Sequence, residues 1–124
     1  MRFRAIFGAL ALVFALCGAS AHAQEAEPVF VNPEWIVRPS PQDVAEFYPQ
    51  AARNRRVDGR VVVQCVINLD TTLDCVVAEE TPGDWGFGAA ALEISRKWRV
   101  RPATRDGLPV EGGRLRVPLR FSVR

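Results

Sequence analysis

Two cysteines are the first residues whose type and spacing could do chemistry. Cys65 and Cys75 lie on either side of a turn signal at Asp70, and the segments 61–69 and 73–77 show the period-two alternation of strands buried on one face. This alternation predicts two antiparallel strands in a hairpin. Both cysteines share one parity about the turn, so they can be cross-strand neighbours. We expect a disulfide if the chain is exported to an oxidising compartment.

The sequence has few residues that could act in catalysis or bind a metal. Redox catalysis usually uses a CxxC spacing at a helix start, and a zinc site needs about four ligands. Glu79, Glu80 and Asp84 could work as acid and base beside a glycine-rich segment, but that segment lacks a following lysine for a phosphate. The only histidine, His22, lies in an N-terminal segment that we expect to be removed. We therefore expect solvated loop charges, with no catalytic residue, metal, cofactor or small-molecule substrate.

The C-terminal end is strongly basic. From Arg96 onward the sequence has nine basic residues against Asp106 and Glu111. Such an end could attract nucleic acid, anionic lipid or an acidic protein segment. We expect no nucleic-acid partner, because aromatic residues do not interleave with the basic ones and an exported protein rarely meets nucleic acid. An acidic partner and a merely solvated face both stay open.

The N-terminus has the three parts of a secretory signal peptide. Two arginines precede an apolar run at 5–16, and a small-x-small cleavage pattern at 21–23 precedes Gln24. The run is shorter than the roughly 20 residues of a spanning helix, which disfavours an uncleaved anchor. Acylation of Cys17 is disfavoured because a bulky leucine precedes it. We expect residues 1–23 to be a cleaved signal peptide.

The rest of the sequence predicts the elements that would position these residues. A proline-rich tether is expected over 24–41, pinned by Val29, Phe30, Trp35 and Ile36. The domain, 42–124, should begin with two short helical turns, with Pro49 opening the second. A loop over 79–88 should lead into a helix over 87–97, whose apolar stripe is Phe87, Ala91, Ile94 and Trp98.

A third strand is expected over 114–123, where arginines alternate with apolar residues. Pro118 cannot donate a ladder hydrogen bond, so this strand should lie at a sheet edge.

Several motifs occur in order along the domain. They are Tyr48-Pro49 followed by Ala52, Gly59 before a valine-rich strand, Ala89-Ala90-Ala91-Leu92 leading to Trp98, Pro102-Ala103-Thr104-Arg105-Asp106-Gly107, Pro109-Val110, and Val117-Pro118 with Phe121. With this order and spacing, residues 41–124 resemble the C-terminal domain of the TonB family.

The resemblance implies an α+β fold of two layers, with helices packed on one face of a three-stranded antiparallel sheet. It also implies a non-enzymatic periplasmic module that grips an extended segment of a TonB-dependent outer-membrane transporter by strand addition. On this chain the edge would be the last strand. The expected partner-binding residues are Tyr48, Arg114, Leu115, Arg116, Val117, Leu119, Arg120 and Phe121.

Departures from the family pattern leave alternatives open. Energy-transducing members have a long N-terminal membrane helix and a long spacer, whereas this leader looks cleavable and this tether is short. Phe47 stands where many transducers have glutamine, and Thr71 stands where a hairpin glycine is common. An accessory binding module is therefore one hypothesis, and an envelope structural or assembly protein that forms a homodimer through its strand edges is another. A retained leader would favour a membrane-anchored energy transducer.

Overall fold

The computed structural model describes residues 32–123. The predicted signal peptide, Val29 and Phe30 lie outside the described residues. The elements in chain order are β1 (Trp35–Val37), α1 (Pro41–Glu46), α2 (Gln50–Asn54), β2 (Gly59–Ile67), β3 (Leu73–Thr81), α3 (Phe87–Ser95), β4 (Arg99–Val100), β5 (Thr104–Arg105), β6 (Leu108–Pro109) and β7 (Arg114–Phe121). None of the helices in this described part is long and apolar enough to cross a membrane.

The main sheet has three antiparallel strands in the order β3-β2-β7. The predicted hairpin and third strand are confirmed, as is the α+β class. Alternate side chains of a strand share a face, and Val61, Val63, Cys65 and Ile67 of β2 are almost wholly buried on the face that carries the helices. Leu69, expected to continue this set, instead lies in the turn beyond β2, 52% exposed.

Helix α3 covers the centre of this sheet face. Its predicted stripe, together with Trp98 just beyond the helix, is fully buried, which confirms the stripe as core. The Phe87 ring packs against Tyr48 and Phe121 with ring centroids 5.8 and 5.1 Å away. A Cβ at Gly59 would lie 2.5 Å from the Phe87 ring, so only glycine lets β2 approach α3 this closely.

The disulfide expected across the hairpin is present. Cys65 and Cys75 are register partners with their Cα atoms 4.0 Å apart. Closing a loop with this sequence separation of 10 contributes about 3 kcal/mol by the loop-entropy estimate. The bond therefore gives a small domain a large share of its stability.

Strand β3 runs past the point where we expected a loop to begin. It ends at Thr81, so Glu79 and Glu80 lie on a strand, which corrects the loop predicted from residue 79. The register with β2 shifts by one residue, because Val62 pairs with Glu79 while Val63 pairs with Val77. This bulge reverses the alternation of the strand. It therefore places Glu80, and not Glu79, on the face that carries the helices.

Glu80 serves α3 and is not a solvated loop charge as predicted. The helix begins after Gly86, which has no side chain to cap it. The Glu80 Oε1 atom accepts a hydrogen bond of 2.5 Å from the Gly88 backbone N–H in the first turn. A carboxylate at this end also complements the helix dipole. Glu80 of β3 thus caps the N-terminus of the helix, which Gly86 leaves without a side-chain cap.

The two ends of the described tether dock in different places, β1 at β4 and Pro39 to Pro41 beside β7. β1 pairs antiparallel with β4, and the half-buried Trp35 meets Trp98 edge-on with ring centroids 5.9 Å apart. Trp35 therefore pins the tether as expected. Ile36, which is 49% exposed, does not. Helix α1 begins soon afterwards, with the Ser40 hydroxyl accepting from the Gln42 backbone N–H.

Candidate functional site

One side of β7 is unpaired. β7 hydrogen-bonds to β2, and no other strand between residues 32 and 123 pairs with it. This agrees with the edge position predicted from Pro118. An unpaired edge presents backbone donors and acceptors to any extended chain that lies alongside it.

The register shows which residues of β7 face the open side. The Ile67 backbone N–H donates to the Gly113 carbonyl at 2.7 Å, so odd-numbered residues of β2 turn their backbone groups towards β7. The short Cα separation of Cys65 and Cys75 agrees, because it marks a pair that does not exchange hydrogen bonds across β2 and β3. Pro118 is opposite Val62, an even-numbered residue. Its backbone groups therefore point outwards.

Two consequences follow for the edge. Pro118 costs the β2–β7 ladder no hydrogen bond, and it leaves a gap in the middle of the outward row of donors. Arg114, Arg116 and Arg120 share its parity, so their N–H groups face the open side. The edge thus offers donors on both sides of a central acceptor-only residue.

A groove lies between this edge and α1. Its volume is about 400 Å³, within the size range of ligand clefts. One wall is the end of the tether with α1, and the other is the second half of β7. Most of the lining is apolar, and it consists of Pro39, Ser40, Pro41, Val44, Ala45, Tyr48, Pro118, Leu119, Arg120 and Ser122.

Tyr48 fixes the floor of the groove. Its ring packs on Phe121 with centroids 5.7 Å apart, and its hydroxyl donates to the Val57 carbonyl. Burial raises the pKa of the Tyr48 hydroxyl, the negative charge of Asp58 adds to this, and Arg53, 5.6 Å from the ring centre, opposes it. The tyrosine therefore holds the junction of α1 and α2 against the last strand.

The predicted partner-binding residues divide into two sets. Leu115, Val117, Leu119 and Phe121 are buried on the helix-covered face and build the core. The three arginines of β7 are exposed on the opposite, outer face. Of the predicted set, the groove brings together Tyr48, Leu119 and Arg120.

Sequence reasoning missed the other wall of the groove. Pro39, Pro41 and Val44 line it, whereas the sequence predicts only an extended tether and a short helical turn there. The available signal was the serine between two prolines, since Ser40 caps α1 and turns the chain towards β7.

The two adjacent carboxylates that the sequence singled out, Glu79 and Glu80, have separate partners. Glu79 lies on the outer face, 3.1 Å from the Arg116 guanidinium, whereas Glu80 caps α3 on the other face. Among residues 32–123, His, Cys, Asp and Glu side chains form no group of three or more that could hold a metal ion.

Comparisons with known proteins agree with this geometry. Residues 44–123 match the family model described as Gram-negative bacterial TonB protein C-terminal. The protein TonB of Vibrio cholerae is 25% identical over 105 residues, covering 85% of this chain and 41% of that protein. The protein TonB of Xanthomonas campestris is 29% identical over 76 residues, covering 61% of this chain and 34% of that protein. This chain therefore spans less than half the length of these relatives.

A solved structure shows the same fold. The solution NMR structure of the Pseudomonas aeruginosa TonB CTD superposes with a TM-score of 0.50 at 24% identity, covering 74% of this chain and 85% of that one.

Proposed function

The chain belongs to the family of Gram-negative bacterial TonB C-terminal domains, and from that premise we propose that it is a non-enzymatic binding module of the periplasm. It captures an extended segment of an envelope protein by adding that segment to β7. Because the curated relatives are TonB proteins, a TonB-dependent outer-membrane transporter is the first partner to test.

The observation that carries this proposal is the open edge of β7 beside the groove. Outward N–H groups of Arg116 and Arg120 supply backbone pairing, and the apolar groove receives side chains from one face of the added strand. Strand addition works in this way, with the backbone supplying affinity and alternate side chains supplying specificity.

Two features favour β7 over the other free edge of the sheet. The edge of β3 is interrupted by the bulge at Ala78, a device that blunts an edge against pairing. Helix α1 packs against β7, where it forms one wall of the groove. Pro118 on β7 removes one donor, which weakens pairing with a second copy while leaving donors for a short guest segment. Self-association through this edge is therefore the weaker candidate.

Site-specific photo-crosslinking in an exporting Gram-negative host tests the proposal. A photoreactive side chain at Pro118 stands at the middle of the β7 edge, and one at Val76, which is 64% exposed on β3, is the matched control. We expect an adduct with an outer-membrane protein from position 118 and none from position 76. Equal labelling from both positions, or adducts of the chain with itself alone, would contradict capture along β7.

Export is tested separately by mass spectrometry of the full chain recovered from such a host. We expect Gln24 as the first residue and a mass two protons below that of the dithiol form. A chain that begins at Met1 and stays in the inner membrane would instead favour an anchored energy transducer.

A further inference from the structure

The outer face of the sheet carries arginines at alternate positions along β7. Arg114, Arg116 and Arg120 are all exposed there, on the face opposite the helices. Arg116 has a carboxylate 3.1 Å away in Glu79, but both side chains are about half exposed, so solvent screens this pair. The positive charge of the strand is therefore only partly compensated.

A fourth arginine adds to this charge from the central strand. Arg60 is the register partner of Arg120, so two like charges lie directly opposite each other on adjacent strands. Such a pair destabilises a sheet. Among residues 32–123, the ion pairs include neither of them nor Arg114. Asp58 lines a surface depression together with Arg60 and Arg120, and its carboxylate accepts a hydrogen bond from the Val123 backbone N–H.

A strand added along β7 would contact the protein through both of its faces. Residues of that strand opposite Arg116, Pro118 and Arg120 place their side chains on the outer face, beside the arginines. Residues at the interleaved positions, opposite Val117 and Leu119, point towards the apolar groove at α1. The two faces of β7 thus present opposite chemistry at a period of two residues.

We infer that the segment captured along β7 alternates acidic and apolar residues, its carboxylates lying against the outer arginines and its apolar side chains entering the groove. This inference rests on the proposed function, since it names the partner chemistry of the same edge. Guanidinium groups suit this task because they bind carboxylates with two parallel hydrogen bonds. Arg120, which lines the groove rim and pairs with Arg60, is the central recognition residue.

The test compares synthetic peptides on the full exported chain. Three blocked peptides as long as β7 alternate valine with glutamate, with glutamine or with lysine. NMR titration gives each Kd and reports whether the outward amides of Arg116 and Arg120 shift. We expect the glutamate peptide to bind about 4- to 25-fold more tightly than the glutamine peptide at low salt, from about two- to fivefold for each of the charge pairs at Arg116 and Arg120. High salt should shrink the difference, and the lysine peptide should bind most weakly.

Two matched variants test whether Arg120 causes the preference for the glutamate peptide. Arg120→Gln should weaken binding of the glutamate peptide two- to fivefold more than it weakens binding of the glutamine peptide. Arg105→Gln, at an exposed arginine on β5 in the separate β5–β6 sheet, should change neither. Equal affinities for the glutamate and glutamine peptides, with the edge amides shifting in both, would overturn acidic recognition and leave strand addition standing. Edge amides that shift with none of the peptides would overturn strand addition itself.

Discussion

At the scale of single residues, Tyr48 connects the groove to the core. Its hydroxyl is the donor for the Val57 carbonyl, and burial raises its pKa above the ordinary value of 10.0. Because the folded pKa is raised, the contribution to stability is complete below about pH 10 and is lost as the pH rises through the folded pKa. The groove should therefore loosen only in strongly alkaline solution.

Replacing this hydroxyl gives a measurable change. Tyr48→Phe leaves the Val57 carbonyl without its donor, and we expect the free energy of unfolding to fall by about 1–2 kcal/mol at neutral pH. The chain has a single tyrosine, so the ultraviolet absorbance of tyrosinate reports its titration directly. A midpoint at or below that of the unfolded chain would contradict the buried, hydrogen-bonded tyrosine.

Thr71 is a second residue with a testable cost. It holds φ at +75°, a region that β-branched residues rarely adopt, while its carbonyl accepts from the Val100 backbone N–H at 3.0 Å. Glycine relieves the strain but loses more chain entropy on folding. We expect Thr71→Gly to raise the free energy of unfolding by about 0.5–1 kcal/mol in denaturant melts. Thr72→Gly removes the hydroxyl that donates to Asp70 and accepts from Asn68, so it should lower the free energy of unfolding. The opposite order would refute this account of the turn.

At the scale of elements, the orientation of the β7 backbone can be tested with proline. Arg116→Pro removes an outward N–H, so we expect a loss of no more than about 1 kcal/mol in thermal or denaturant unfolding. Val117→Pro removes an N–H that faces β2 and should cost about 3 kcal/mol or more. Val117→Ala separates the loss of side-chain packing from the loss of the hydrogen bond. Similar costs for the two prolines would show that the assigned backbone directions are wrong.

The sequence predicted the elements whose signals are local. Parity about the Asp70 turn was enough for the hairpin and its disulfide, and Pro118 was enough for the edge. The bulge at Ala78 has no such signal, because it depends on the contact between Glu80 and the start of α3. The pairing of β1 with β4 was missed for a similar reason, since it depends on the packing of Trp35 against Trp98.

The candidate site was predicted less completely than the fold. The alternation of β7 showed that its two faces differ, but apolar and basic residues were both assigned to the partner. Burial assigns Leu115, Val117 and Phe121 to the core and leaves the arginines exposed. The groove needed α1 to be placed beside β7, which no local pattern in the sequence encodes.

At the scale of the whole molecule, the described chain keeps structural and binding surfaces apart. The disulfide and the aromatic cluster stabilise the side of the sheet under α3, and the tether strand docks at β4. The opposite edge of the sheet, that of β7, carries the groove and a row of outward-facing backbone groups. A rigid sheet with one such edge suits capture of an extended segment, because the edge is already in the conformation that binding requires.

Amide hydrogen exchange along β7 in the full exported chain tests this central claim most directly. We expect the N–H groups of Leu115, Val117 and Leu119, which face β2, to exchange slowly, and those of Arg116 and Arg120 to exchange nearly as fast as in an unstructured peptide. Slow exchange at all five positions would mean that this edge is already covered in the complete protein, and capture of a partner strand along β7 would be contradicted.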